Sequence, residues 1–186
     1  MGDDKRRSRI AEVDSQRATG KARRLFEQVR ARLGMVPNLM RVLASAPVAL
    51  EGYLNFSEAL AGGTLDPKVR AQIGLTVAEC NMCSYCLGAS AFMGEKAGLS
   101  GDEIADAIHA CSSDSRTDAV LKLARTIIVQ RGEVGDPDLQ RARAAGLTDG
   151  ELIETVANIA LNIFINYIDH VARPPIDFPE VKKSDK

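Results

Sequence analysis

Helix punctuation recurs along the whole 186-residue chain, and it constrains the fold more than any other feature. Helix starts are marked by capping side chains or first-turn prolines and helix stops by glycines, while no alternating run closed by Asn-Gly or Asp-Gly offers a hairpin. Thr19 caps a first helix on which Leu25, Val29 and Leu33 recur every four residues, and Gly34 closes it in the left-handed conformation. Pro37-Asn38 opens a short helix ending near Ala46, and Pro47 begins another that carries Leu50, Leu54 and Leu60 and stops at Gly62-Gly63. Asp66-Pro67 is a cap followed by a first-turn proline, starting a helix through Ile73 and Val77 to about Cys80. The next helix runs to Ala97, with Gly98 as its stop.

Two phrases then repeat 48 residues apart, Ala97-Gly-Leu-Ser-Gly-Asp-Glu-Ile104 and Ala145-Gly-Leu-Thr-Asp-Gly-Glu-Leu152. Each joins a helix stop and a leucine to a capping box, Ser100 with Glu103 and Thr148 with Glu151. Between them lie a helix from about Arg116 to Gln130, its core face Val120, Leu123, Ala124 and Ile127, and a short one after Asp136-Pro137. The expected fold is all-α, a single-domain bundle of eight or nine helices. The expected organisation is a flexible segment over residues 1–14, a helical domain over 15–173, and a tail over 174–186 that Pro174-Pro175 bars from continuing a helix and whose end, Lys182–Lys186, is solvated and mobile. Composition agrees: 45% of residues are hydrophobic, enough for a proper core, and aromatics are only 4%.

Charge and hydropathy exclude several function classes. Lysine and arginine (24) balance aspartate and glutamate (25), so no global field attracts nucleic acid or an anionic membrane. The most apolar stretch, Val156 to Ile168, is interrupted by Asn158, Asn162 and Asn166 and is too short and polar to span a bilayer. Met1 to Arg9 is basic but has no apolar segment after it, so no secretory signal is read and a cytoplasmic location is expected.

The chemistry concentrates at Cys80, Cys83 and Cys86, with Cys111 apart. A secreted disulfide scaffold would spread its cysteines to close large loops. Cys83-Ser-Tyr-Cys86 falls on the first turn of a helix, where free amides and the positive end of the dipole stabilise a thiolate, so one cysteine can attack and the other resolve. An iron-sulfur cluster would place a fourth cysteine four residues after the third, where Ser90 stands, and a zinc site has only His109 and His170 to add to the cysteines. No metal or other cofactor is expected. Cys111 reads as a small core hydrophobe and His109 as a helix-surface residue.

Leu65-Asp-Pro-Lys-Val-Arg-Ala-Gln-Ile73, followed by Val77-Ala-Glu-Cys-Asn-Met-Cys-Ser-Tyr-Cys-Leu-Gly-Ala-Ser-Ala91, resembles the signature of the alkylhydroperoxidase D-like, or carboxymuconolactone decarboxylase, superfamily. Gly34-Met-Val-Pro-Asn-Leu-Met40, Ser45-Ala-Pro47, and the stretches Gly146–Thr148, Asn166–His170 and Ile176–Pro179 extend the resemblance to its peroxidase-related branch. It implies an all-α, homo-oligomeric protein (dimer, trimer or hexamer) acting on a peroxide or disulfide. Cys86 would attack, Cys83 would resolve, and a thiol donor such as a lipoyl-bearing protein would reduce the pair. The family pattern also has a proton relay, a His four residues after the second cysteine and a Glu twelve before the first. Ser90 and Ala71 stand at those positions, and neither supplies a base near pH 7. Glu79 matches a carboxylate of this branch and is the candidate to take part of the relay's work. His170, beside the Asn158, Asn162, Asn166 stripe, is a candidate substitute base, the stripe itself reading as an interhelical hydrogen-bonding seam. Tyr85 is placed to shield or orient the sulfurs. The alternative is a catalytically degenerate binding or structural protein that kept the fold and lost the relay.

Overall fold

Nine helices and no strand form the regular structure of the described residues, 6–179 and 181, of this computed structural model. In order these are α1 (Gly20–Leu33), α2 (Asn38–Leu43), α3 (Pro47–Ala61), α4 (Pro67–Cys80), α5 (Ser84–Lys96), α6 (Gly101–Ile108), α7 (Ser115–Val129), α8 (Asp136–Ala144) and α9 (Asp149–Ala172). The all-α expectation and the helix count therefore hold. No helix among the described residues is long and apolar enough to cross a membrane. The expected mobile end at Lys182–Lys186 lies outside the described residues.

Most of the expected caps form, but Thr19, though it is the N-cap of α1, makes no side-chain capping hydrogen bond. Asp66 accepts the Lys68 N–H at 2.8 Å with Pro67 in the first turn, and Gly34 takes a left-handed φ of 81° after α1. α2 stops at Leu43, short of the expected Ala46, because the Ser45 and Ala46 amides turn back to Val42 and Leu43 and Pro47 then starts α3. The repeated phrase is one device used twice. Gly98 (φ 89°) and Gly146 (φ 91°) end α5 and α8, the Leu99 and Leu147 amides reach back to the Gly94 and Ala142 carbonyls at 2.9 and 3.1 Å, and both leucines are buried. That is the Schellman closure, and a capping box starts the next helix directly after it.

The chain divides into two compact units, Met1–Ala59 with Tyr167–Asp177, and Leu60–Asn166 with Phe178–Lys186. In the first, Phe26, Val29, Leu39, Val42, Leu50 and Leu54 are buried. Residues 6–14 carry no helix and are tied down by Arg6 on Asp169 (2.8 Å), the Arg9 amide on the Ala172 carbonyl (2.7 Å) and the Val13 amide on the Arg41 carbonyl (3.0 Å). The second unit holds the cysteines. Its core includes Ile73, Leu75, Val77, Tyr85, Leu121 and Ala124, all 2% exposed or less.

Glu151 fastens the start of α9 in this unit. Its carboxylate accepts the Thr148 N–H and hydroxyl, both at 2.9 Å, and the Arg116 guanidinium. The Thr148 amide bond, then the Arg116 bond, hold its carboxyl well below the usual range, at about 2. A depressed acid stabilises the fold above its unfolded value near 4.5, and that contribution disappears as pH falls through about 2. Glu151→Gln should therefore cost about 2 to 3 kcal/mol at pH 7, with the gap to wild type closing as pH falls from 4.5 toward 2 in urea titrations. A gap independent of pH would show that packing, not charge, makes the difference.

Candidate active site

The turn that joins α4 to α5 carries the cysteine cluster. The Met82 amide bonds to the Glu79 carbonyl at 3.0 Å and the Cys83 amide to the Ala78 carbonyl at 2.9 Å. This is the same Schellman closure that ends α5 and α8, with Met82 (φ 55°) at the left-handed position glycine takes at 98 and 146. Met82 is also 86% exposed, so no packing offsets the steric cost. Met82→Gly should stabilise the reduced protein by about 0.5 to 1 kcal/mol in chemical denaturation, the relief of strain exceeding the added chain entropy. A destabilised variant would show that the Met82 side chain makes a contact worth more than that strain.

Cys83 is the N-cap of α5 and Cys86 lies in its first turn, as the sequence reading placed them. The Cys86 N–H donates to the Cys83 sulfur at 3.2 Å, and the two cysteines form a disulfide with Cα atoms 5.3 Å apart. Both are buried, 1% and 4% exposed. Tyr85, between them, is 2% exposed, and its ring meets Phe178 edge-on at 5.6 Å. Phe92 packs on the same Phe178 ring at 5.6 Å. Gly88 makes this approach possible: a Cβ there would sit 3.0 Å from the Phe178 Cβ and from the Pro179 carbonyl oxygen. Phe178 and Pro179 thus lie directly against the cysteine helix.

α4 and α5 pack through small residues. A side chain added at Gly94 would lie 3.8 Å from the Ala71 Cβ, and one added at Gly74 would lie 2.8 Å from the Ser90 hydroxyl and 3.2 Å from the Asn162 Oδ1. Ser90 is four residues after Cys86, on one face of α5, and Gly94 follows four residues later. Ser90 and Ala71 therefore continue one line from the disulfide along the α4–α5 contact.

The asparagine stripe has a mixed role. Asn158 and Asn162 donate to the carbonyls of Glu154 and Asn158 on their own helix, both at 2.8 Å, whereas Asn166 accepts from Asn81 at 2.9 Å and so ties α9 to the cysteine turn. Only the last of the three leaves α9, and it reaches the turn after α4 rather than a facing helix, so the expected interhelical seam is not formed by these bonds. The Nδ2 of Asn166 is buried without a hydrogen-bond partner.

Glu79 is half-buried one residue before Cys80, near enough to raise that thiol's pKa. Cys80 is reduced and half-exposed; burial pushes its thiol up and the nearby Arg125 guanidinium pulls it partly back. His170 is exposed on the last turn of α9, in the first unit, and the four other candidate residues belong to the second. His109 is exposed at the end of α6, as expected. Cys111, read from sequence as a core residue, is exposed instead. Ala110 (φ 58°) takes the left-handed position after α6, which turns the chain outward and leaves the Cys111 sulfur 3.5 Å from the His109 carbonyl. A cavity of about 320 Å³ lined by Leu123, Ile127, Leu139, Leu152 and Val156 holds none of the cysteines.

The carboxymuconolactone decarboxylase family profile matches residues 47–130, a span that includes α3, the cysteine turn, α5 and α7. Over those residues the chain resembles the carboxymuconolactone decarboxylase family, and its fold is shared with solved proteins of the alkylhydroperoxidase D type. Its fold is that of a peroxidase-related protein from Ralstonia eutropha JMP134 with an alkylhydroperoxidase AhpD core, at TM-score 0.82 and 22% identity over 91% of this chain and 93% of that one. A peroxidase-related protein from Silicibacter sp. TM1040 matches at 0.76 and 20% identity, covering 95% of both chains. A cysteine-to-alanine variant of the debrominase Bmp8, solved in complex with 2,3,4-tribromopyrrole, matches at 0.80 and 14% identity, covering 94% of both. No curated protein matches the sequence.

Proposed function

We propose that this protein is a thiol-dependent peroxidase or thiol-disulfide oxidoreductase working through Cys83 and Cys86. The observation that carries the reading is the pair itself: two cysteines bridged across the first turn of α5, one of them the helix cap whose sulfur receives an amide N–H. A helix N-terminus stabilises a thiolate, the reactive form. In the forward step the Cys86 thiolate attacks a peroxide oxygen, the O–O bond breaks, the distal oxygen leaves as alkoxide and takes a proton, and Cys86 becomes a sulfenic acid. Cys83 then attacks that sulfur, hydroxide leaves as water, and the disulfide forms. A donor dithiol, such as that of a lipoyl-bearing protein, reduces it and is oxidised in turn. Ser90 offers a hydroxyl to hold the proton in transit and Glu79 a carboxylate beside the turn. The working form is a homo-oligomer.

A second reading, a binding protein that kept the fold, draws on the same line of residues, since Ser90 and Ala71 place no titratable base between α4 and α5. One assay separates the two. Reduced protein is mixed with a hydroperoxide and a lipoyl donor, peroxide loss is followed, and the product is peptide-mapped. Peroxide-dependent formation of the Cys83–Cys86 bond with turnover supports the enzyme. Absence of both supports the binding protein.

A further inference from the structure

The disulfide and the surface are separated in a way that gives Cys80 a role. Cys83 and Cys86 are 1% and 4% exposed, so a dithiol carried on another protein cannot reach either sulfur along the S–S axis without opening the fold. Cys80 is half-exposed and reduced. It is the last residue of α4, three residues before Cys83, and the amide of Cys83 folds back onto Ala78, so a tight closure brings the chain around between the two thiols. Burial raises the Cys80 thiol above its ordinary pKa, with Arg125 pulling it partly back and Glu79 adding to the rise, so its exchange is set by proximity along the chain rather than by an activated thiolate.

We propose that Cys80 is a third redox thiol that exchanges with the Cys83–Cys86 disulfide and presents it to the reductant. This rests on the dithiol reading above and adds the route by which the pair is regenerated. Cys80 gives its proton to solvent and its sulfur attacks the Cys83 sulfur; the Cys83–Cys86 bond breaks, Cys86 leaves as a thiolate, and a Cys80–Cys83 bond forms. No net oxidation occurs in that step, and Cys86 is at once free for the next oxidant. The donor dithiol then attacks the Cys80 sulfur, and Cys83 leaves as a thiolate. Its second thiol closes the donor's own disulfide, which returns Cys80 and Cys83 to thiols after proton uptake. Cys83 is the better leaving group of the surface bond because the Cys86 N–H, 3.2 Å from its sulfur, and the α5 N-terminus stabilise its negative charge.

Two measurements on the full chain test this. In Cys86→Ser, diamide oxidation followed by peptide mapping should yield a Cys80–Cys83 disulfide. In the second, oxidised wild type and Cys80→Ser are reduced by a lipoyl-bearing protein domain and by dithiothreitol. Cys80→Ser should slow reduction by the protein donor roughly tenfold or more, because an intramolecular thiol is replaced by one that must reach a buried bond. Dithiothreitol, small enough to enter, should show a lesser effect, and the rate at which peroxide oxidises the reduced chain should not change. Equal rates with the protein donor, or no Cys80–Cys83 bond in Cys86→Ser, would overturn the exchange. Failure of the dithiol reading looks different: peroxide leaves the wild-type thiols untouched, while the diamide experiment still reports whether Cys80 and Cys83 can pair.

Discussion

Peroxide turnover is expected to rise by roughly 10² to 10⁴-fold when Ser90→His and Ala71→Glu are combined, the range a positioned general base contributes. The geometry favours the gain. Ser90 shares the Cys86 face of α5 one turn further on, and Ala71 faces Gly94 one turn beyond that, so an imidazole at 90 and a carboxylate at 71 fall in line with the disulfide. Gly74 and Gly94 carry no side chains at these two contacts, and the Ser90 hydroxyl and the Leu99 side chain already pack closely there. Each single variant should gain less than the pair, since a base without its carboxylate is poorly oriented and a carboxylate without the base has nothing to orient. The gain should also fade below about pH 6, where an imidazole with an ordinary pKa carries a proton and cannot accept another. Steady-state rates with a lipoyl donor on wild type, both singles and the double decide the matter. An unchanged double variant with its helical circular dichroism intact would mean that no proton leaves the pair along this row.

Much of the architecture was legible because its signals are local. The Asp66-Pro67 start, the Gly98 and Gly146 stops and the two capping boxes each depend on residues within a few positions of one another, and all form where the sequence places them. The position of Cys83 and Cys86 in the first turn of α5 was legible for the same reason. Positions that depend on long-range packing were not. Cys111 follows a helix with an amphipathic face, yet a left-handed alanine with no glycine to announce it turns the residue to solvent. Phe178 is far from the cysteines in sequence and stands among prolines, so although Ile176–Pro179 formed part of the resemblance, its packing on Tyr85 and Phe92 could be found only in three dimensions. The Asn81 bond to Asn166 joins residues 85 apart. Met82, like Ala110 and Arg131, takes the left-handed position of a helix closure without glycine, so no glycine announced the turn that carries the cysteines.

In Cys86→Ser, peroxide consumption should fall to the background rate, while Cys83→Ser should still react once per chain and then stop. The asymmetry follows from the two-step scheme. Without Cys86 no sulfur attacks the O–O bond; without Cys83 the sulfenic acid forms but finds no resolving thiol at helix-turn distance. Trapping with dimedone and mass analysis should place the adduct on Cys86 of the Cys83→Ser variant. Helix geometry also supplies the outcome that would reverse these roles. The sulfur that receives an amide N–H is that of Cys83, the cap of α5, and a cap thiolate is the better stabilised of the two. If Cys86→Ser retains a single oxidation per chain and Cys83→Ser retains none, attack belongs to Cys83. Ser90, which lies one turn beyond Cys86, would then sit beside the resolving thiol, and a base installed there would accelerate disulfide closure rather than cleavage of the peroxide. The two experiments thus constrain each other: whichever cysteine is adducted, a gain from histidine at position 90 must appear in the step that Cys86 performs.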